Sequence, residues 1–256
     1  MFENEADALI TAIGALNVAL ATNYLDFTTS IGKSLHSAAW DQDYDYTVRF
    51  TEGISRKRLT CLQGKQITVI GAGSSGIQVI LSLQPEVKHL DHYLRRRIWI
   101  AGTFAREELD IRVGNASSFE YTQGEKFSWQ RDPVFYLAVR KKVEAELQGG
   151  YLVTVRGSEA QQQARKEFTQ SMHDRLVEKP ELADNLLLDF SPLCKGTTPG
   201  LGHLEALTAN HVSIIPKSIS KITSTGITDL DGTHQPVDVI LCATGSDTGF
   251  QKRMPI

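Results

Sequence analysis

The chain contains 256 residues, with a net charge of -3, 41% hydrophobic residues and 22% charged residues. These values are typical of a globular protein that buries a core in one large domain or two modest ones. The weak charge gives no basic surface, so neither nucleic acid nor an anionic membrane is an expected partner. The three cysteines are too scattered for a disulfide framework or a metal site, which favours a reducing, cytoplasmic compartment.

The first apolar stretch of the chain predicts a strand. Residues 7–13 form a short apolar run that ends at Gly14, as expected for a strand buried on both faces of a parallel sheet. The longer apolar run at residues 8–21 is too short to span a bilayer and lacks the basic flank of a signal peptide. We therefore expect no membrane segment in this chain.

A βαβ unit follows further along the chain. Residues 66–70 read as a buried strand, a glycine-rich turn comes next, and residues 75–84 read as a helix that Pro85 closes. Residues 87–94 fit the second strand. This order predicts an α/β fold with a parallel sheet of the Rossmann type. Later β-type runs lie at residues 211–215, 218–223 and 237–242.

Two helices are predicted between these strands, and the simplest interpretation of both is packing. The helix at residues 133–148 has an apolar side, and the helix at residues 158–178 begins with a capping box of Ser158 and Gln161 and stops before Pro180. The apolar side of the first comprises Val134, Leu137, Ala138, Val143 and Leu147. That of the second comprises Ala160, Ala164, Phe168, Met172 and Leu176.

The glycine-rich turn at residues 71–76, GAGSSG, matches the pattern GxGxxG. Gly71 permits a tight turn, Gly73 lets the backbone approach a pyrophosphate, and Gly76 allows close packing of helix on strand. The start of the helix adds free N–H groups and partial positive charge. The turn therefore predicts a dinucleotide site, although a glycine-rich turn without a ligand is the alternative. The predicted contacts are Gly71, Gly73, Ser74, Ser75, Gly76 and Gln78.

The end of the second strand indicates which dinucleotide binds. An acidic residue about 20 positions after the turn selects NAD, but this chain has Arg95, Arg96 and Arg97 there. Guanidinium groups suit a 2′-phosphate, so Arg95, with help from Arg96, predicts NADP(H). A solvated basic strand end is the alternative.

Six separated motifs together resemble the class B flavin monooxygenases, which include the flavin-containing and Baeyer–Villiger enzymes. Residues 32–41 resemble the fingerprint FxGxxxHxxxW(P/D), with Gly32, His36, Trp40 and Asp41 in register. Ser30 departs from the fingerprint phenylalanine. The other matching stretches are residues 8–17, 71–76, 83–100, 198–207 and 238–250.

Three departures from the family pattern concern contacts rather than the fold. Gly196 and His203 stand where the family usually has arginine and tyrosine, and Ser246 replaces the aromatic residue that follows its ATG stretch. These changes affect the substrate-side and flavin-side contacts that the resemblance would otherwise imply.

The resemblance implies a cofactor-driven reaction in which NADPH reduces FAD, the flavin traps O2, and one oxygen atom enters a small-molecule substrate. Arg106 is the nearest candidate for the family's catalytic arginine. His36 would position the domains, or, alternatively, it is a loop histidine bonded to the backbone. The ATG stretch would add the cofactor contacts Ala243, Thr244 and Gly245.

The resemblance also predicts a domain division. Residues 1–47 are interpreted as remnants of the FAD domain and its link, 64–215 as the NADP(H) domain with a helical insertion, and 216–256 as a return segment. Residues 48–63 form an extra segment that is read as an exposed inserted loop or, alternatively, as a translated intron.

The expected function is that of a monooxygenase fragment. Because the chain has one GxGxxG motif, where the family's second one belongs, we expect it to bind NADP(H) but to bind FAD poorly. Two alternatives stay open: an inactive NADP(H)-domain remnant, and a repurposed non-oxidative isomerase or cyclase. The sequence identifies no partner protein.

Overall fold

The structure is a computed structural model that describes residues 33–40, 61–102, 121–187, 190–193 and 197–246. The strand predicted at residues 7–13, the stretch at 8–17, Arg106 and residues 48–60 lie outside these ranges. In the described ranges every helix is too short or too polar to span a membrane. No group of three side chains there could hold a metal ion.

A five-stranded parallel sheet forms the centre of the fold, as predicted. Its order is β1 (Lys33–His36), β10 (Val239–Cys242), β2 (Gln66–Ile70), β3 (His89–Tyr93) and β6 (Val212–Ile215). All four residues of β10 are buried, as are the middle residues of β2. Strands that are covered on both faces need such continuous apolar runs, and this explains why the sequence predicted these strands.

The helices that cover the sheet come from the predicted segments and from two shorter ones. The first helix, α1 (Ser74–Leu83), packs against β2 and against the short helix α6 (His203–Leu207). A small parallel pair joins β4 (Ile100–Ala101) to β5 (Thr198–Pro199). The remaining elements that cover the core are α4 (Glu159–Arg175) and α5 (Glu181–Leu186).

The predicted helix at residues 158–178 is confirmed with a modified cap. Its N-cap Ser158 accepts a hydrogen bond from the Gln161 N–H at 3.1 Å, as a capping box requires. The Gln161 side chain, however, accepts from the N–H of Gly157 rather than that of Ser158. Ala164, Met172 and Leu176 are buried at the predicted spacing.

The helical insertion contains α2 (Gln123–Arg131), α3 (Pro133–Gly149) and a 3-10 turn (Gly150–Thr154). The predicted helix at residues 133–148 forms, but the prediction that its apolar side packs is wrong for the part of the chain that the structure describes. No residue of α3 is buried there, and Val134 is 78% exposed. Periodicity reveals an apolar side but not what lies against it, and Asp132 and Pro133 start the helix locally.

An antiparallel meander precedes the last strand of the sheet. It consists of β7 (Ile219–Ile222), β8 (Gly226–Asp229) and β9 (His234–Pro236). The hydroxyl of Tyr93, on β3, donates to the buried carboxylate of Asp229 at 2.7 Å and so ties the meander to the sheet. Burial and this bond raise the pKa of Tyr93 well above its usual range.

The sheet draws strands from three of the predicted segments. Strand β1 comes from residues 1–47 and β10 from residues 216–256, yet both pair within the sheet that contains β2. The sheet therefore does not break at residues 47 and 215, and the division into domains stays a prediction.

The end of the extra segment at residues 48–63 packs into the core. Leu62 is fully buried, Cys61 packs against the same cluster, and the Leu62 carbonyl accepts from the Lys65 N–H. The expectation of an exposed loop is therefore wrong at residues 61 and 62. Leu62 lies only four residues before β2, close enough for its side chain to reach the core. The sequence prediction missed this because it treated the charge-rich segment as a single unit.

Truncating Leu62 tests this packing. Replacing Leu62 by Ala removes a buried side chain and leaves a cavity, so we expect the free energy of unfolding to fall by about 2–5 kcal/mol. Gln63→Ala is the matched control because Gln63 is exposed, and its effect should stay within about 0.5 kcal/mol. Urea unfolding measures both, and equal stabilities would contradict the assignment of Leu62 to the core.

Candidate dinucleotide-binding site

The GAGSSG turn lies between β2 and α1, at the carboxyl edge of the sheet. Gly71 adopts a φ of 107°, its N–H donates to the Tyr93 carbonyl at 3.1 Å, and a Cβ there would run into the Ala243 carbonyl oxygen. A side chain at this position would be both strained and obstructed. Glycine is thus required where β2, β3 and β10 meet.

The other two glycines meet different surroundings. A Cβ on Gly76 would collide with the Gly71 carbonyl oxygen, so this glycine lets the helix begin against the turn. A Cβ on Gly73 would have no atom of the described residues within 4 Å, apart from those of its two chain neighbours. The space beside Gly73 is therefore open for a ligand to approach the backbone.

A row of unpaired backbone donors lines this turn. The N–H groups of residues 72–76 have no acceptor within the part of the chain that the structure describes, and the helix has no side-chain cap at its start. Such groups, with the positive end of the helix dipole, attract phosphate. Ser75 and Gln78 are exposed, and the Ser74 hydroxyl lies 2.5 Å from that of Thr198 on β5.

The three arginines after β3 differ in their contacts. Arg97 donates to the Leu187 carbonyl at 3.1 Å. Arg95 and Arg96 are exposed and make no hydrogen bond or ion pair with the described residues. Both follow the end of β3, at the same edge as the turn. Their guanidinium groups are therefore available to an anion at this edge.

The stretch after β10 joins the fingerprint segment to the turn. The N–H of Ala243 donates to the Ile70 carbonyl at 2.8 Å, and Gly245 has a φ of 96°. His36 accepts from the Ala38 N–H at Nδ1, which leaves Nε2–H to donate to the Thr244 hydroxyl at 3.1 Å. His36 therefore makes the backbone bond of a loop histidine and also reaches the ATG stretch.

Arg175 holds the loop that follows β5. Its guanidinium forms a two-bond pair with Glu205 at 2.6 and 2.8 Å and also donates to the Gly200 carbonyl at 2.6 Å. Burial opposes ionisation of Glu205, but the bonds from Arg175 keep its pKa below the usual value. This pairing ties α4 to α6 beside the dinucleotide turn.

Curated proteins with similar sequences are flavin monooxygenases. The chain is 32% identical over 250 residues to the FAD-binding monooxygenase tazF of Aspergillus terreus, an alignment that covers 98% of this chain and 41% of that protein. It is 26% identical over 240 residues to a Baeyer-Villiger monooxygenase of Pseudomonas aeruginosa, an alignment that covers 94% of this chain and 40% of that protein. The chain is a homologue of FAD-binding and Baeyer–Villiger monooxygenases.

The resemblance deduced from the motifs is thereby confirmed. The chain spans about 40% of the length of these monooxygenase relatives. No protein-family model matches it.

Solved structures of monooxygenases share the fold. The cyclohexanone monooxygenase from Rhodococcus sp. Phi1 bound to NADP+ superposes with a TM-score of 0.67 at 20% identity, over 92% of this chain and 45% of that one. The OTEMO complex with FAD and NADP gives 0.68 at 18% identity, over 92% and 46%. Identities this low establish the fold alone.

Two buried histidines lie directly behind the turn, and the motif analysis did not assign them a role. His92, on β3, places Nε2 3.2 Å from the Gly71 carbonyl oxygen. His203, the first residue of α6, packs edge-on against it with ring centroids 6.2 Å apart. The polar composition of β3, with His89, Asp91 and His92 among its five residues, was the available signal, but the partner of His92 becomes visible only in the fold.

Burial keeps both rings neutral. It lowers the pKa of His92 to about 4, despite the bond to Gly71. The pKa of His203 is lowered to about 3, mainly by burial and to a smaller degree by the nearby His92 and Arg175, against a small opposing effect of the Ile77 backbone. Nδ1 of His92 and both nitrogens of His203 have no hydrogen-bond partner among the described residues.

The remaining predicted contacts gather at one edge. The structure brings the glycine turn, Arg95, Arg96, Ala243, Thr244, Gly245 and His36 to the carboxyl ends of the parallel strands. Arg106 lies outside the described residues. The roles of all these residues stay predictions.

The lowered pKa values predict a loss of stability in acid. Unfolded histidines protonate near pH 6.5, while the folded chain keeps both rings neutral. Stability should therefore be full above pH 6.5 and fall as the pH drops toward 4, by about 2 kcal/mol per ring between pH 7 and 5. Urea unfolding at these two pH values measures the change.

The control for this prediction is the double replacement His92→Leu with His203→Phe. It removes both titrating rings. The fall in its free energy of unfolding between pH 7 and 5 should therefore be about 4 kcal/mol smaller than the fall in the parent. Identical pH dependences in the parent and the double variant would contradict the buried, neutral state of the pair.

The open side of Gly73 generates a separate prediction. Gly73→Val places its Cβ where no atom of the described residues lies within 4 Å, its chain neighbours apart, so the fold should survive while bound phosphate is displaced. We expect NADP+ binding to be lost in calorimetry and the melting temperature to change little. Gly76→Ala is the contrasting variant, because its Cβ meets the backbone and should destabilise the fold. NADP+ affinity unchanged in Gly73→Val would refute the site.

Proposed function

We propose that this chain provides the NADP(H)-binding part of an FAD- and NADPH-dependent monooxygenase that inserts oxygen into a small organic substrate by Baeyer–Villiger or related chemistry. The observation that carries the proposal is the turn at residues 71–76. Among the described residues its N–H groups at positions 72–76 have no acceptor, and Arg95 and Arg96, at the same edge of the sheet, have no hydrogen-bond or ion-pair partner. The similarity to FAD-binding monooxygenases supports it.

The residues at the sheet edge fit an NADP(H) molecule. In this proposal the N–H groups of residues 72–76 bind the pyrophosphate, and the open side of Gly73 admits it. Arg95, with Arg96, binds the 2′-phosphate that distinguishes NADP(H) from NAD(H). The bound nucleotide supplies a hydride, and the chain holds and orients it.

A flavin requires residues other than those described. The described ranges contain one strand–turn–helix phosphate cradle, and a single cradle holds the pyrophosphate of a single dinucleotide. We assign this cradle to NADP(H), since the arginines adjoin it. FAD, which the relative tazF binds according to its name, is therefore not assigned to these residues.

Two further roles belong to the proposal. His36 positions the fingerprint segment against the ATG stretch through its bond to Thr244, and Arg106 is proposed as the catalytic arginine on the resemblance alone. A cytoplasmic location is proposed from the cysteine usage. Cys242 is buried and its pKa is raised to about 12, so this thiol is unreactive.

Replacing Arg95 tests the choice of nucleotide. Arg95→Ala removes a charge-assisted contact to the 2′-phosphate, worth about 1.5–3 kcal/mol, so the Kd for NADP+ should rise at least about tenfold. The Kd for NAD+, which lacks that phosphate, should stay the same. Titration calorimetry with both nucleotides measures the difference.

Arg97→Ala is the matched control. Arg97 belongs to the same run of three arginines, but it donates to the Leu187 carbonyl, so its removal should change the two affinities equally. If the parent chain binds NADP+ and NAD+ equally well, the proposed NADP(H) preference is wrong. If it binds neither, the dinucleotide site itself is wrong.

A further inference from the structure

The proton on the His92 ring can be assigned from its contact with the turn. Its Nε2 lies 3.2 Å from the Gly71 carbonyl oxygen, which can only accept a hydrogen bond. Nε2 therefore carries the hydrogen in this contact. Burial lowers the pKa of His92, so the ring is neutral and Nδ1 carries only a lone pair.

This contact fixes the orientation of one peptide group. The described chain has no cis peptide bond, so the Gly71 C=O and the Ala72 N–H point in opposite directions. The Gly71 oxygen is directed inward, where it meets both His92 Nε2 and the α-carbon side of Gly76. The Ala72 N–H therefore points away from His92.

We infer that His92 is a positioning residue for the dinucleotide site: its ring N–H holds the Gly71 carbonyl inward and so directs the Ala72 N–H toward the phosphates. This inference rests on the proposed NADP(H) function. It concerns a residue that would touch the turn but not the nucleotide.

The cost of burying His92 supports this role. A leucine or valine at this place in β3 would fill the core without leaving Nδ1 unpaired, as it is here among the described residues. A buried polar atom without a partner is unfavourable. The bond to Gly71 offsets this cost, since without it the Gly71 carbonyl would be an unpaired acceptor beneath the turn.

The groups around His92 favour the neutral, singly protonated ring. His203 faces it from α6, and Arg175 acts on His203 from α4. Neither group stabilises a positive charge on His92. Nε2 is therefore the ring's single donor, and Gly71 receives it.

Three variants of the full chain test the inference, with NADP+ as the probe in titration calorimetry. His92→Leu removes the donor and should raise the Kd at least about fivefold. His92→Gln places an amide N–H near the same oxygen and should restore the Kd to within about threefold of the parent. His203→Phe keeps the ring packing without touching Gly71 and should leave the Kd unchanged.

The outcomes separate this inference from the proposed function. Failure of the parent chain to bind NADP+ refutes both. A parent that binds NADP+, together with a His92→Leu variant that binds it equally well, refutes only the positioning role. A His92→Gln variant as weak as His92→Leu also contradicts it, because restored hydrogen bonding should rescue binding whereas simple core packing should not.

A spectroscopic measurement on the unmodified chain tests the inference even if the variants fail to fold. Nitrogen-15 NMR of the His92 ring at pH 7 should show the neutral form protonated at Nε2. The tautomer protonated at Nδ1 would turn a lone pair toward the Gly71 oxygen and would overturn the inference without any substitution.

Discussion

The close approach of three parallel strands at Gly71 is the constraint on which the rest of the site depends. The Gly71 N–H bonds to the end of β3, its α-carbon lies against the Ala243 carbonyl after β10, and its own carbonyl lies beneath the start of α1. No side chain fits among these groups. Glycine at this position therefore permits the observed turn, which leaves the next five N–H groups without acceptors in the described chain.

The local parts of the fold were predictable from the sequence, and the long-range parts were not. Strand β2 matches its predicted bounds and α1 differs from them by one residue, because buried runs and glycine turns are encoded within a few residues. The pairing of β1 with β10 joins segments about 200 residues apart, which no local pattern reveals. The burial of Leu62 was missed for the same reason. Strand β9 pairs locally with β8 and was missed because its three residues, HQP, have no apolar alternation.

The candidate site divides in the same way. The spacing of the glycines predicts a tight turn that binds phosphate, and an arginine at the end of a strand predicts a positive charge there. Both features could therefore be predicted from the sequence. His92 looked like an ordinary strand residue. Its importance comes from His203 and Gly71, which the fold brings to it from other elements.

Tyr93 shows how the meander contributes to the same edge. Its backbone carbonyl accepts from the Gly71 N–H, while its hydroxyl donates to the buried Asp229 on β8. The second oxygen of Asp229 has Lys217 Nζ at 3.9 Å, so the carboxylate is also bound electrostatically to the loop before β7. The end of β3 is thereby held from both the turn and the meander, and Arg95 follows it by two residues. Tyr93 is thus the residue through which the meander contacts the strand end that precedes Arg95, although no residue of the meander belongs to the predicted site.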